Sequence, residues 1–197
     1  MGEPVVSQAH THLARSTSAA ILAAAGIAAL ALVGWGSGVP RLTTMLPGQP
    51  AMHPLTAIGV ILAALSLWLL RRPESGGRAR GFAVACAGLV TGIAAFKLLS
   101  LRFGIAPDLD QLLFPAQVAA TPFPGRMGPH SASTLLCVGA SFLTLDVRVR
   151  PLARLSEVLL LAGLATCAVA LVGYAYSATS IHGIMAFNTA CALSGPK

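Results

Sequence analysis

The sequence predicts an all-α integral membrane protein with about five transmembrane helices and a short sixth half-span, built from duplicated helical hairpins. Three observations carry this prediction: the composition, a series of apolar runs and a loose internal repeat. Hydrophobic residues make up 55% of the 197 residues and charged residues only 10%, whereas soluble domains carry about 25% charged residues. With so few polar side chains to cover a surface in water, lipid is the expected solvent.

The internal repeat defines the hairpins. Residues 48–105 and 125–181 share one order of parts: a methionine, a short Pro/His/Thr/Ser start, an apolar run, an arginine-rich break and a second apolar run. The two starts begin at Met52 and Met127, and a third begins at Met185. One repeated supersecondary unit indicates hairpins that bury their apolar faces against each other.

Each apolar run is expected to be helical, because backbone groups inside lipid need internal hydrogen-bond partners. About 20 residues cross the hydrocarbon core. A polar cytoplasmic tail over residues 1–17 is expected to precede one transmembrane domain over residues 18–197. Its predicted spans cover residues 18–35, 53–70, 81–102, 130–146 and 155–176, with a partial span over residues 183–197. In the third span, Lys97 is close enough to the end to extend its ammonium group to the interface.

Arginine placement predicts the orientation. The connection between spans two and three and the connection between spans four and five are both arginine-rich: Arg71, Arg72, Arg78 and Arg80 in the first, Arg148, Arg150 and Arg154 in the second. The positive-inside rule therefore predicts that the N-terminus lies in the cytoplasm. The arginines between the apolar runs account for much of the formal net charge of +7. The charge is therefore explained by orientation in the membrane, and nucleic acid is not an expected partner.

The longer outer loop contains a proline, two aspartates and an apolar stretch between Pro107 and Phe114. This pattern predicts a short capped helix. Its leucines, Leu109, Leu112 and Leu113, are expected to lie flat on the outer membrane surface.

Three histidines, His53, His130 and His182, recur near the outer ends of spans two, four and six. Imidazole binds metals and pigment magnesium, so these residues are candidate cofactor-binding positions; bound lipid or pigment stays open. The competing interpretation, which the sequence favours, is that they cap or hydrogen-bond helix starts. No carboxylate pair or E-x-x-H motif accompanies them, so no dedicated metal centre is predicted.

Small residues fill the spans. Gly88 and Gly92 form a G-x-x-x-G pattern that predicts close helix packing, within the chain or with a partner helix. The four cysteines are interpreted as small core residues: Cys86, Cys137, Cys167 and Cys191. The sequence contains no recognisable Ser–His–Asp set, P-loop or dinucleotide loop and no carboxylate at mid-span. An enzyme is therefore not expected, and a transporter is disfavoured.

Short segments resemble a known family. They are the starts Met52…Pro54-Leu55-Thr56-Ala57 and Met185…Asn188-Thr189-Ala190, and the loop from Gly104 to Phe114. Together they resemble the multi-pass membrane sensor module at the N-terminus of bacterial histidine kinases and diguanylate cyclases, over roughly residues 18–193. The resemblance implies sensing of a membrane-associated signal and assigns no ligand-binding residues. The family places PAS, kinase or GGDEF domains after this module, and this chain ends at Lys197, so we expect it to act without its own output domain.

The expected function is that of a non-enzymatic accessory or structural subunit of a larger bacterial membrane complex, derived from such a module. A photosynthetic reaction-centre or light-harvesting complex and a respiratory complex are the candidate hosts. Other integral membrane subunits and membrane lipids are the expected partners. The alternative is a stand-alone membrane sensor or ligand-binding module that acts through a separate signalling protein.

Overall fold

A computed structural model describes most of the chain: residues 3–44, 51–72, 76–105, 110, 113–119, 127–145, 150–175 and 189. Throughout these residues the regular elements are α-helices, and no strand occurs among them. The all-α prediction is thereby confirmed for the described parts of the chain.

A long helix lies over each of the five predicted spans. Two short helices were not predicted at their observed positions: α2 lies in the loop after the first span, and α5 begins directly after the stretch from Pro107 to Phe114, where a short helix was predicted. The elements are α1 (Glu3–Ser37), α2 (Pro40–Thr43), α3 (Pro54–Leu70), α4 (Gly77–Phe103), α5 (Pro115–Ala119), α6 (Pro129–Thr144) and α7 (Arg150–Ala175). The predicted polar tail is helical from Glu3 onward and continuous with the first span. Of the predicted half-span over 183–197, the structure describes only Thr189, which is buried.

Among the residues that the structure describes, two helices are long and apolar enough to cross a membrane. They are residues Ala14–Ser37 of α1 and Gly77–Phe103 of α4. The third apolar helix, α3, has only 17 residues. The predicted arrangement of five spans therefore stays a prediction.

Side-chain hydrogen bonds show the relative directions of α1, α3 and α4. Trp35 Nε1, near the end of α1, donates to the carbonyl oxygen of Met52 just before α3, at 2.8 Å. Ser66 Oγ, near the end of α3, donates to the carbonyl oxygen of Ala83 in the first part of α4, at 2.9 Å. α3 therefore runs antiparallel to α1, and α4 runs antiparallel to α3. The contacts follow the chain order, α1 on α3, α3 on α4, α4 on α6 and α6 on α7, with α3 also touching α6.

The structure also shows the repeat. Pro54 and Pro129 each occupy the first turn of a helix, where a missing N–H costs nothing. Met52 and Met127, two residues before these prolines, are both fully buried in one hydrophobic cluster. These pairs share a spacing of 75 residues along the chain. The repeated starts thus place equivalent side chains in the core.

Gly59 and Gly139 allow close contact between long helices, and they are not the predicted glycines. A Cβ added at Gly139 would lie 2.5 Å from Thr91 Oγ1, and one at Gly59 would lie 2.7 Å from Leu135 Cδ1. At Gly88 and Gly92 no atom of the described residues lies within 4 Å of such a Cβ. The expectation that Gly88 and Gly92 pack within the chain is therefore wrong for the described residues. Packing of these two glycines on a partner helix stays a prediction.

Candidate functional site

The ammonium group of Lys97 lies inside the helix bundle. Lys97 continues a stripe along the inner face of α4 whose other members are buried: Ala83, Ala87, Val90 and Ala94. Its side chain is 1% exposed. It is six residues, about 9 Å, from the end of α4 at Phe103. The expected extension of Lys97 to the interface is therefore wrong, because the helical spacing turns this residue inward.

A carboxylate from the loop after α4 supplies the counter-charge. Lys97 Nζ donates a hydrogen bond to Asp110 Oδ2, and Asp110 is also 1% exposed. The neighbouring Leu113 is partly buried against the hydrophobic core, and Phe114 has a φ of 54°, which an α-helix does not accommodate. The prediction that Leu113 lies on the membrane surface is therefore wrong. Leu109 and Leu112 lie outside the described residues.

His53 completes the cluster. It is the N-cap residue of α3, and its Nδ1 accepts a hydrogen bond from the Leu55 backbone N–H at 3.3 Å. Its Nε2 lies 3.7 Å from Asp110 Oδ1, which is longer than a hydrogen bond. The capping interpretation is confirmed for this residue. Because Nδ1 accepts, a neutral ring carries its proton on Nε2, facing the carboxylate.

The charges in this cluster balance. A lysine ammonium and an aspartate carboxylate cancel, and the neutral imidazole adds a polar N–H beside them. Burying such a pair gains little over apolar packing, but removing one partner leaves an uncompensated charge at a cost of about 3–5 kcal/mol. We call His53, Lys97 and Asp110 the outer-end cluster.

Ser100 extends the polar edge of the outer-end cluster. It lies three residues after Lys97 on α4, so both side chains share one helix face. It is 7% exposed, and its Oγ has no hydrogen-bond partner among the residues that the structure describes. Its backbone carbonyl accepts from Gly104 and Ile105, which end the helix. The cluster therefore adjoins one unused hydroxyl group.

The candidate cofactor-binding histidines have different surroundings. If a metal or pigment were bound to Nε2 of His53, the neutral ring would carry its proton on Nδ1. That proton would meet the Leu55 N–H, which now donates to Nδ1. His53 therefore does not fit the role of a metal or pigment ligand. His130 lies in the first turn of α6, half-buried, with its Nδ1 atom buried. His182 lies outside the described residues. Within the described part of the chain, no three His, Cys, Asp or Glu side chains lie close enough to share a metal ion.

The cysteines lie within helices. Cys86 and Cys167 are buried, Cys137 is half-buried, and none of the three is in a disulfide. This agrees with their interpretation as core residues. Cys191 lies outside the described residues.

Comparison with known proteins supplies no relative. No family model matches the chain, and no curated protein and no solved structure matches it. The class that the structure defines is an α-helical protein with two helices able to cross a membrane and a buried ionic cluster at one end.

Proposed function

We propose that the chain is a multi-pass protein of the bacterial inner membrane, with five long helices as spans and the N-terminus in the cytoplasm. The antiparallel order of α1, α3 and α4 supports this arrangement. Large apolar side chains face outward on the long helices, among them Leu22, Leu30, Leu89, Val158 and Leu161. Such a surface suits lipid rather than water.

The two ends of the bundle differ in charge in the way this orientation requires. Arg71 Nη2 donates to the carbonyl oxygen of Ala14 at 3.1 Å, so the end of α3 lies beside the early part of α1. Arg72 stacks over the Trp68 ring at 5.0 Å, an arrangement typical of a membrane interface. The outer-end cluster lies at the opposite ends of α3 and α4. The arginine-rich end then faces the cytoplasm.

Within that membrane protein, we propose a non-enzymatic sensor or ligand-binding module that acts through a separate signalling protein. The buried contact of Asp110 with Lys97 carries this proposal. Ionisable residues within membrane helices are costly, and they mark functional sites by default. Asp110 belongs to the outer loop, Lys97 to α4 and His53 to the start of α3. A signal that displaces the carboxylate therefore changes the packing of a loop and two helices together.

An accessory subunit of a larger membrane complex is the second candidate. The observation that favours it is the open space beside Gly88 and Gly92 on α4, next to the exposed Leu89. A partner helix could approach this face closely. The respiratory or photosynthetic host, and membrane lipids as further partners, stay predictions.

Purification from native membranes in mild detergent tests the first proposal against the second. The full chain is purified as wild type, as Asp110→Asn and as Glu157→Gln, a matched amide variant of an exposed carboxylate on α7. The sensor proposal predicts co-purification with a kinase or cyclase whose activity changes in Asp110→Asn and not in Glu157→Gln.

Two results contradict the sensor proposal. One is stoichiometric co-purification of all three forms with a respiratory or pigmented complex, which establishes the accessory role. The other is a kinase or cyclase whose activity is identical with all three forms, which removes the outer-end cluster from signalling.

A further inference from the structure

A second group of buried polar atoms lies on α6. His130 Nδ1 and Thr134 Oγ1 are buried, and neither has a hydrogen-bond partner among the described residues. Thr134 is 1% exposed. The two residues are four apart on one helix, so their side chains lie on the same face. Burying such groups without partners destabilises a fold, which calls for an explanation.

The fold itself does not require these polar groups. At the repeat spacing of 75 residues, His130 corresponds to Leu55 and Thr134 to Gly59. Leu55 is buried in the hydrophobic core, and Gly59 packs against Leu135. At these two positions, therefore, the first hairpin has residues without polar side chains. The polar pair on α6 is a property of the second hairpin alone.

Neither α6 nor the part of α7 beside Thr134 carries a charged side chain. α6 carries no Asp, Glu, Lys or Arg. In α7 those residues are Arg150, Arg154 and Glu157, all in its first part. Thr134 lies beside a later part of α7, because its Cγ2 is 3.8 Å from a Cβ placed on Gly163. α4 also packs on α6 and buries Lys97, but the Asp110 carboxylate already balances that charge. The site therefore suits an uncharged ligand.

We propose that His130 and Thr134 bind the head group of a neutral, lipid-soluble molecule carrying a carbonyl or hydroxyl group, as quinones and quinols do. The Thr134 hydroxyl donates to such a carbonyl or accepts from such a hydroxyl, and His130 Nδ1 pairs with a second polar atom of the head. The apolar part of the ligand lies along the outward apolar faces of the helices. This site is independent of the sensor proposal.

Thermal unfolding of the full chain in phosphatidylcholine nanodiscs tests the proposal. Decylubiquinone is the probe, and decylbenzene, which has the tail without the carbonyl groups, is the matched control ligand. The variants are His130→Leu and Thr134→Val. Thr166→Val is the control, because the Thr166 hydroxyl already donates to the Ala162 carbonyl at 2.9 Å on an exposed face of α7. Unfolding is followed by far-UV circular dichroism, and affinity by titration calorimetry against empty nanodiscs.

We expect saturable binding of decylubiquinone and not of decylbenzene. Thr134→Val should raise the Kd about fivefold, as expected for one neutral hydrogen bond, and His130→Leu by at least as much. Without ligand, Thr134→Val should unfold at the same temperature as wild type or higher, because an unpaired hydroxyl is removed.

Three results would overturn the proposal. The first is absence of saturable binding above empty nanodiscs. The second is equal affinity in wild type and both variants. The third is a lower unfolding temperature of ligand-free Thr134→Val with no change in affinity, since a structural water would then satisfy the hydroxyl. A pigment absorption band that is lost in His130→Leu would instead assign His130 to pigment magnesium.

Discussion

Lys97 and Asp110 are 13 residues apart in the chain and form a buried hydrogen-bonded ion pair across the end of α4. Between them the helix ends at Gly104, whose φ is +63°. The pair thus holds the loop after α4 against the buried face of α4. His53 brings α3 to the same carboxylate, so three segments of the chain meet at one charge.

The role of His53 as a cap can be separated from its position beside Asp110. Asparagine is among the best N-cap residues, so His53→Asn keeps an acceptor for the Leu55 N–H while removing Nε2. We expect His53→Leu to lower the free energy of unfolding by about 1 kcal/mol and His53→Asn by much less. Detergent-solubilised protein unfolded by heat or denaturant provides the measurement. Equal losses in the two variants would show that the imidazole near Asp110, and not the cap, matters for stability.

The hydrogen bond from Trp35 to Met52 joins α1 to the start of α3. Trp35→Phe keeps an aromatic ring but leaves the Met52 carbonyl without this donor. We expect a loss of about 1–2 kcal/mol in the free energy of unfolding. The control is Trp68→Phe, because Trp68 is half-buried and contacts Arg72 through its ring face, which phenylalanine retains. A loss as large in Trp68→Phe would show that ring size rather than the hydrogen bond is responsible.

The glycines of α4 and α6 should respond in opposite directions. At Gly139 a methyl group would meet the Thr91 hydroxyl at 2.5 Å, the Thr91 backbone N at 3.0 Å and the Ala87 carbonyl at 3.1 Å. Because two of these atoms are backbone, relief requires helix movement, and we expect Gly139→Ala to cost about 1–3 kcal/mol. Unfolding of purified protein checks this value. A neutral Gly139→Ala would mean that α4 and α6 lie farther apart.

Gly88→Ala has open space around it and should stabilise the isolated chain by up to about 1 kcal/mol through helix propensity. The same substitution tests the accessory-subunit candidate. If a partner helix packs on Gly88, Gly88→Ala should reduce recovery of that partner from native membranes while the purified chain is unharmed. Unchanged recovery of a stoichiometric partner would place the partner on another face.

The turn at Gly104 leads from Lys97 toward Asp110. Its φ of +63° favours glycine, and alanine there costs about 1–2 kcal/mol. Gly77→Ala is the matched control, because Gly77 lies in open space at the start of α4. We expect Gly104→Ala to lower the unfolding temperature and Gly77→Ala to leave it unchanged or raise it. Similar behaviour of the two variants would show that the left-handed turn is not needed.

Much of the helical layout was predictable from the sequence. Pro54 and Pro129 mark the first turns of their helices, and the observed bounds of α3 and α6 lie within two residues of those predicted. Apolar runs of this length and composition leave few alternatives to a helix. The start of α1 at Glu3 was not predicted. The polar residues before the first span were interpreted as a tail, because their polarity gives no sign that the helix of the apolar run extends through them.

The site was less predictable. His53 was singled out, and its spacing of one residue from Pro54 supports the cap. The burial of Lys97 could have been predicted, since it continues the stripe of Ala87, Val90 and Ala94 on α4. Its proximity to the end of the helix instead led to the prediction that its ammonium group reaches the membrane interface. Asp110 could not be placed, because its burial depends on how a loop folds back on the bundle and no periodicity encodes that. The open faces of Gly88 and Gly92 likewise depend on which helices are neighbours.

A double-mutant cycle on Lys97→Met and Asp110→Asn tests the central claim most directly. The free energies of unfolding of wild type, both single variants and the double variant are measured in detergent. If the two side chains form the buried pair, each single variant loses about 3–5 kcal/mol. The double variant leaves neither charge uncompensated, so it should lose no more than either single variant, which corresponds to a coupling energy of about 3 kcal/mol or more. Losses that simply add would mean that Lys97 and Asp110 do not interact, and the account of the outer-end cluster would be wrong.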